Sequence, residues 1–515
     1  MKNTKKVLTK LVGLTLALTM VAAWGACSAS YVPNYNYAAM GDAVIPPKDA
    51  NGEEYTEIVE NPFIDADKIN ESYFSIDANT ASYPNLRSLL RNGYSIPKDA
   101  VRVEEMLNYF NYDYKTPTDG GIFSLTSSVF DTPYNEDTKL LTIGLAATEI
   151  EFSEVRNNIV FLIDKSGSMA SDDKLPLIQQ AFSMLAENLN PEDRVSVVTY
   201  AAGSDVELDG AYGYQTNLIK GVIEDMVASG STAGSNGIQT AYRIAEKYFI
   251  EGGNNRVVLA TDGDFNVGIT GDNALKRFIA NKRDTGVYFS VIGVGRENTK
   301  AQKMESLALN GNGTYSYIDS VAEARRALVE QIGGSIVTVA KNVKAGVEFN
   351  TKYIDSYRLI GYENKLLTEE QFDNEDKDAG DLGSGHTVTI VYELTLTDEP
   401  FSSDDNLAQV KIRYKETAAS GVDEESDEAL LEIKTDDYHQ QLTDTDAFVA
   451  GVIEFALILR NSIYKADADL SDLVDRLQDL ELSDDEAKEE FRGLVNLYYE
   501  QTKRMNGVTE DEDYY

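Results

Sequence analysis

Phe161-Leu162-Ile163-Asp164-Lys165-Ser166-Gly167-Ser168-Met169 is the stretch from which the 515-residue chain is best read: an apolar run that ends on an acid, followed by two serines flanking a glycine. Residues 158–162 have the composition of a buried strand ending at Ile163-Asp164, and a regular rhythm follows. Helical spacing over 175–189 gives way to a strand over 195–200, then to helices over 217–227 and 236–249. A strand at 256–261 runs into Asp262-Gly263, followed by a helix (273–284), a strand (287–294), a helix (299–308), a short strand (314–318) and a helix (321–332). Strands apolar on both faces, alternating with helices, predict an α/β fold with a mainly parallel sheet covered on both sides. In open sheets of this kind the site lies beyond the carboxyl ends of the strands. Two of those ends carry Asp164 and Asp262.

Two more segments complete the pattern. Ser229-Gly230-Ser231-Thr232-Ala233-Gly234 is a small-residue loop just ahead of a helix, and Leu259-Ala260-Thr261-Asp262-Gly263 closes a later strand. Taken in order, these three elements resemble the metal-ion-dependent adhesion site of von Willebrand factor type A domains, a Rossmann-like fold. The resemblance implies that Ser166, Ser168 and Thr232 bind a divalent ion through hydroxyls, with Asp164 and Asp262 acting through water. A hard ion such as Mg²⁺ takes oxygen ligands at about 2.0–2.1 Å and keeps several waters; Mn²⁺ or Ca²⁺ is also compatible. With no carboxylate bound directly, the ion stays electron-poor, and in this family its open position takes an Asp or Glu from a protein partner. Asp164 and Asp262 as loop caps, with Ser166 as a helix N-cap, is the bland alternative; it accounts for each residue but not for the ordered set.

Other motifs carry less. Asp262-Gly263-Asp264-Phe265-Asn266-Val267-Gly268 fails as a calcium loop, because Gly is seventh where an EF-hand needs it sixth and Asn273 stands where Glu is needed. Gly293-Val294-Gly295 follows a strand, but Asn298 occupies the third glycine position of a dinucleotide fingerprint. The only histidines are His386 and His439, so neither a zinc site of the usual kind nor a Ser/His/Asp triad can be assembled, and no enzymatic activity is expected. His386, after Gly383-Ser384-Gly385, reads as a loop or strand-start residue. Acidic residues number 86 against 46 basic ones, a net charge of −40 that repels phosphate backbones and disfavours nucleic acid.

The N-terminus reads as an export signal over residues 1–26. Lys2, Lys5, Lys6 and Lys10 precede an apolar stretch at 11–23, which is too short to span a bilayer. Cys27, the only cysteine, follows directly. That placement resembles the lipobox of bacterial lipoproteins, in which the thiol takes a diacylglycerol and becomes the new N-terminus. The alternative is an ordinary cleaved signal, since Trp24 and Gly25 stand where the lipobox prefers Leu and Ala or Ser. Cleavage before Cys27 removes four lysines and no acids, taking the net charge to −44. Residues 27–70 lack a sustained period and are expected to form a tether, or else a loop folded on the body.

Residues 71–155 read as a small α+β region and 156–334 as the type A domain. Residues 335–440, where the period changes to two, read as β-rich, and 441–515 as helical. Phe74-Ser75-Ile76-Asp77, Val103-Glu104-Glu105-Met106-Leu107-Asn108-Tyr109-Phe110 and Tyr357-Arg358-Leu359-Ile360-Gly361-Tyr362-Glu363-Asn364 resemble the flanking segments of some bacterial type A proteins. Two isolated strands are marginal, so the runs at 122–130 and 139–145 are expected to join the later strands in a β-sandwich, making the type A domain an insertion. The acidic stretches 366–383 and 419–428 read as solvated loops. Residues 447–459, apolar but with Glu454 inside, read as a buried helix. The expected function is a membrane-anchored cell-envelope protein binding a protein partner through the metal. The alternative is a regulatory or assembly subunit in which the metal is structural.

Overall fold

The computed structural model describes residues 55–118, 120–150, 155–230, 236–263, 269, 271–295, 300–331, 337–375, 377–417, 426–482 and 485–512. The chain opens with β1 (Ile64–Asp65), β2 (Glu71–Ser75), α1 (Ser82–Arg91), α2 (Val103–Leu107), β3 (Phe123–Asp131) and β4 (Lys139–Ala147). The central segment contains β5 (Asn157–Asp164), α3 (Leu175–Glu187), β6 (Arg194–Tyr200), β7 (Ser204–Tyr212), α4 (Thr216–Glu224), α5 (Gly237–Lys247), β8 (Asn254–Thr261), α6 (Asp272–Arg283), β9 (Tyr288–Val294), α7 (Ala301–Asn310), β10 (Tyr315–Ile318) and α8 (Val321–Arg325). It is followed by β11 (Thr338–Phe349), β12 (Ile354–Ile360), α9 (Glu369–Asp373), β13 (Gly380–Gly383), β14 (Thr387–Leu396), β15 (Asn406–Glu416), β16 (Ser426–Lys434) and β17 (Tyr438–His439). Helices α10 (Asp444–Arg460), α11 (Leu470–Gln478) and α12 (Glu486–Glu512) close the chain.

The central sheet has the order β10-β9-β8-β5-β6-β7 and is parallel except for β7. Side-chain alternation along β5 explains why both faces must be covered. Ile159, Phe161 and Ile163 pack toward α3, with Phe161 stacked on Phe182 at 4.1 Å between ring centroids. Val160 and Leu162 pack with α5 residues Ile238, Ala241 and Tyr242 on the other side. A strand buried on both faces has to be apolar throughout, which is why the sequence of β5 reads as it does.

Two further sheets lie outside this segment. One has the order β1-β12-β14-β4-β3-β17; in the other, β13-β11-β15-β16, β2 pairs with β11 alongside β13. Their facing sides share one core, including Phe74, Leu141, Ile143, Val347, Tyr392 and Val410. Strands from before and after the central segment therefore pair directly: β4 lies against β14 and β2 against β11. The central α/β segment is inserted into a β-sandwich. Arg358 and Glu393 oppose each other in register between β12 and β14 and form a buried ion pair at 2.6 Å. The C-terminal helices cover the outer face of the first sheet, with Phe448, Phe455 and Phe491 packing on Phe110, Phe130 and Leu140. Among the described residues no helix is long and apolar enough to cross a membrane.

The two chain crossings into and out of the insertion meet at the turn Ser384-Gly385-His386. Ser384 Oγ accepts from Ile150 N–H (2.7 Å), Ser384 N–H donates to the Val337 carbonyl (2.8 Å), and Gly385 N–H donates to the Thr148 carbonyl (2.9 Å). His386 begins the approach to β14; its Nδ1 accepts from Gly383 N–H at 3.1 Å, and burial pushes its pKa down to about 4, so the ring is neutral.

Three expectations are corrected. Residues 55–70 do not behave as free tether: Asn61 is buried and donates to the Leu359 and Gly361 carbonyls, and β1 pairs with β12. The stretch 366–383 holds α9 and β13, and residues 426–428 begin β16. Residues 419–425 lie outside the described residues; the described parts of these segments are fixed by backbone pairing and side-chain-to-backbone bonds, which require no apolar period.

Candidate metal centre

Strands β5 and β8 are parallel neighbours and end side by side, Ile163 opposite Ala260, so Asp164 and Asp262 leave the sheet at the same end. Both are buried, at 0% and 1% exposure. The β5–β6 ladder continues one bond past Asp164, with Lys165 N–H donating to the Tyr200 carbonyl (3.0 Å). The chain then turns back on Asp164, whose Oδ1 accepts from Ser166 N–H at 2.8 Å. That turn brings the Ser166 and Ser168 hydroxyl oxygens to 3.0 Å from each other, Ser166 buried and Ser168 exposed.

The Ser229-Gly230 end of the second loop is tied to this turn. Ser229 N–H donates to the Lys165 carbonyl (2.7 Å), and Gly167 N–H donates to the Gly230 carbonyl (3.0 Å). Gly230 adopts φ +86°, a left-handed conformation that favours glycine. Thr232, two residues on, and Cys27 lie outside the described residues. Of the five expected metal-site residues the structure therefore brings together Asp164, Ser166, Ser168 and Asp262.

Burial pushes the Asp164 carboxyl up to about 6, against the opposing effect of its Ser166 hydrogen bonds and with a further upward contribution from Asp262. Thr261 lies between the two acids: its Oγ1 is 3.5 Å from Asp164 Oδ2 and accepts from Gly263 N–H at 3.2 Å. Two residues that sequence reasoning missed also act here. Lys165 Nζ reaches Glu207 (2.8 Å) and Asp205 (3.4 Å) on β7, anchoring the serine turn to the sheet edge. Lys174 Nζ forms a buried ion pair with Asp262 Oδ2 at 2.9 Å. The available signal for Lys174 was its place just before α3, where the helix dipole disfavours a cation that has no acid partner.

The donor chemistry fits a hard divalent cation. Among the described residues hydroxyl and carboxylate oxygens converge here, and of the two buried carboxylates Asp262 is paired with the ammonium of Lys174. Among the described residues no group of three or more His, Cys, Asp or Glu gathers as a metal cluster.

The von Willebrand factor type A domain family matches residues 158–331, the segment that bears these strand ends. This chain carries a type A domain. A family described as von Willebrand factor matches residues 49–142 ahead of it, and one described as uncharacterized protein YfbK, C-terminal, matches residues 334–500 behind it. The Escherichia coli (strain K12) uncharacterized protein YfbK is 40% identical over 368 residues, covering 70% of this chain and 63% of that protein. This chain thus spans less than two thirds of that relative's length. Uncharacterized protein sll0103 of Synechocystis is 25% identical over 295 residues, covering 56% of this chain and 68% of that protein. A solved von Willebrand factor type A protein from Catenulispora acidiphila is 18% identical with a TM-score of 0.39, covering 67% of this chain and 80% of that one.

Proposed function

We propose that the chain is a cell-envelope lipoprotein whose type A domain captures a protein partner through a divalent ion, Mg²⁺ by preference. The observation that supports this reading most strongly is the convergence of Asp164, Asp262 and the paired Ser166 and Ser168 hydroxyls at one end of the sheet, beside the loop that leads to Thr232. Ser166, Ser168 and Thr232 would hold the ion, and Asp164 and Asp262 would supply charge around it. When bound, the ion supplies an electron-poor position that takes an Asp or Glu carboxylate of the partner. Lys165, through Glu207, holds the serine turn in place. Cys27 would carry the lipid that keeps the domain at the membrane, outside the cytoplasm.

The test begins with purified full-length protein titrated with Mn²⁺, free ion being read by electron paramagnetic resonance. Wild type should withdraw one equivalent in competition with Mg²⁺, and Asp164→Ala should withdraw none; equal binding by both would end the proposal. Immobilised protein should then retain a partner from envelope extract with Mg²⁺ and release it with chelator. In cells, Cys27→Ser should leave the membrane fraction; if it stays, the lipid assignment fails while the metal assignment stands.

A further inference from the structure

Lys174 is out of place by ordinary rules. It precedes the first turn of α3, where N–H dipoles disfavour a cation, and only 6% of it is exposed. Its ammonium lies 2.9 Å from Asp262 Oδ2, with the carboxylate side chain at 0% exposure. The route to that position passes over Gly295, at the end of β9. A Cβ at 295 would stand 2.4 Å from Lys174 Cε and 2.9 Å from Cγ, and the residue adopts φ +71°. The Tyr317 hydroxyl donates to the Gly295 carbonyl at 3.0 Å and fixes the turn. The second glycine of Gly293-Val294-Gly295, which superficially suggests nucleotide binding, thus provides the space for a lysine stem.

We propose that Lys174 sets the charge of the metal site, sharing Asp262 with the incoming divalent ion so that the ion is held weakly until a carboxylate joins it. The inference rests on the metal-binding reading above. With Asp164 and Asp262 ionised, the site with Lys174 carries one net negative charge, and a divalent ion makes it positive by one. A carboxylate from the partner then brings the sum to zero. Without Lys174 the ion alone neutralises the site, and the same carboxylate adds an uncompensated negative charge in a buried setting, where unpaired charge is costly. Lys174 therefore moves binding energy away from the bare ion and toward the ternary complex.

The experiment measures Mn²⁺ affinity of the full chain as wild type, K174M, D262N and K174M/D262N, in chloride and in acetate at equal ionic strength. K174M should bind Mn²⁺ at least about tenfold more tightly than wild type in chloride. Acetate should tighten Mn²⁺ binding by wild type more than by K174M. The double variant leaves no unpaired Lys174–Asp262 partner, so it provides the same comparison if K174M folds poorly; it should bind at least about tenfold more tightly than D262N. Affinity that is equal or weaker on removing Lys174 from a wild type that does bind Mn²⁺ overturns the role of Lys174 and leaves the metal site standing. An equal acetate response overturns the carboxylate balance. If neither wild type nor K174M binds Mn²⁺, the metal-binding reading fails and this inference falls with it.

Discussion

Replacing Arg87 with Met should loosen the whole body of the protein, because this one guanidinium joins three parts of the chain. From α1 it grips Asp319 with two bonds (2.8 and 2.5 Å), Glu323 with one (2.8 Å) and Glu490 of α12 with one (2.7 Å), and it also donates to the Tyr109 hydroxyl (3.0 Å). The Arg87, Asp319 and Glu323 side chains are 4–5% exposed, so water cannot take over. Breaking a buried pair from one side costs about 3–5 kcal/mol, mostly because the remaining charge is stranded. Glu323 keeps a bond from Tyr109 (2.7 Å), which argues for the middle of that range. About 4 kcal/mol in a body of this size lowers Tm by roughly 4–8 °C, measurable by calorimetry. The neutral triple variant R87M/D319N/E323Q removes the stranded charges and should recover at least half of the loss. A Tm for R87M within about 1 °C of wild type, or a triple variant no more stable than the single, would refute the reasoning.

Two other outcomes follow from buried groups. Burial pushes Glu104 and Glu105 up to about 7 and about 8, Glu363 adding to the effect on Glu104 and Arg102 opposing it on Glu105; with folded values above the unfolded one of about 4.3, their contribution to stability is complete below that pH and lost as pH rises through 7 to 8. E105Q should therefore gain in Tm relative to wild type between pH 6 and pH 9, and a difference that stays flat across that interval would count against it. Ser384→Ala removes the hydroxyl shared by Ile150 N–H and the Ile150 carbonyl and should cost about 1–3 kcal/mol. Hydrogen exchange should quicken at the Ile150 amide while Mn²⁺ affinity stays at the wild-type value; a shift in affinity would reveal coupling between the crossings and the site.

How much of this was legible in sequence depended on the kind of interaction involved. Strand β5 and its neighbours show themselves through residues apolar on both faces, and the convergence of Asp164 and Asp262 follows from parallel strands ending together. Strand β7 carries strict alternation in Ser204-Asp205-Val206-Glu207-Leu208-Asp209 but is not among the strands expected from the sequence; its acids lie on an exposed edge, where Asp205 and Glu207 pair with Lys165. Strand β11 is interrupted at Asn342, which turns through φ +54° while the register shifts between Lys341 and Lys344, so its alternation is broken in sequence. The Lys174–Asp262 pair links residues 88 apart, and no spacing rule marks such a contact. The clasp at Arg87 is hidden for the same reason.

The insertion has a consequence for recognition. Arg256, near the start of β8, donates to the Thr338 hydroxyl at the head of β11 (3.2 Å), so the exit crossing lies by the amino ends of the parallel strands. Strand β5 begins at Asn157, close to the entry crossing, and delivers Asp164 seven residues later, roughly 23 Å away at 3.3 Å per residue. The serine turn thus points away from both crossings, and the sandwich acts as a pedestal. Charge works against approach from a distance, since a chain with net charge −40 repels a partner that brings a carboxylate. At physiological salt that repulsion fades beyond about 8 Å, and inside that range the local balance of Asp164, Asp262, Lys174 and a bound ion would take over. Under the proposed function, the overall charge excludes acidic surfaces in general, and only one that can place a single carboxylate at the serine turn meets a site charged to receive it.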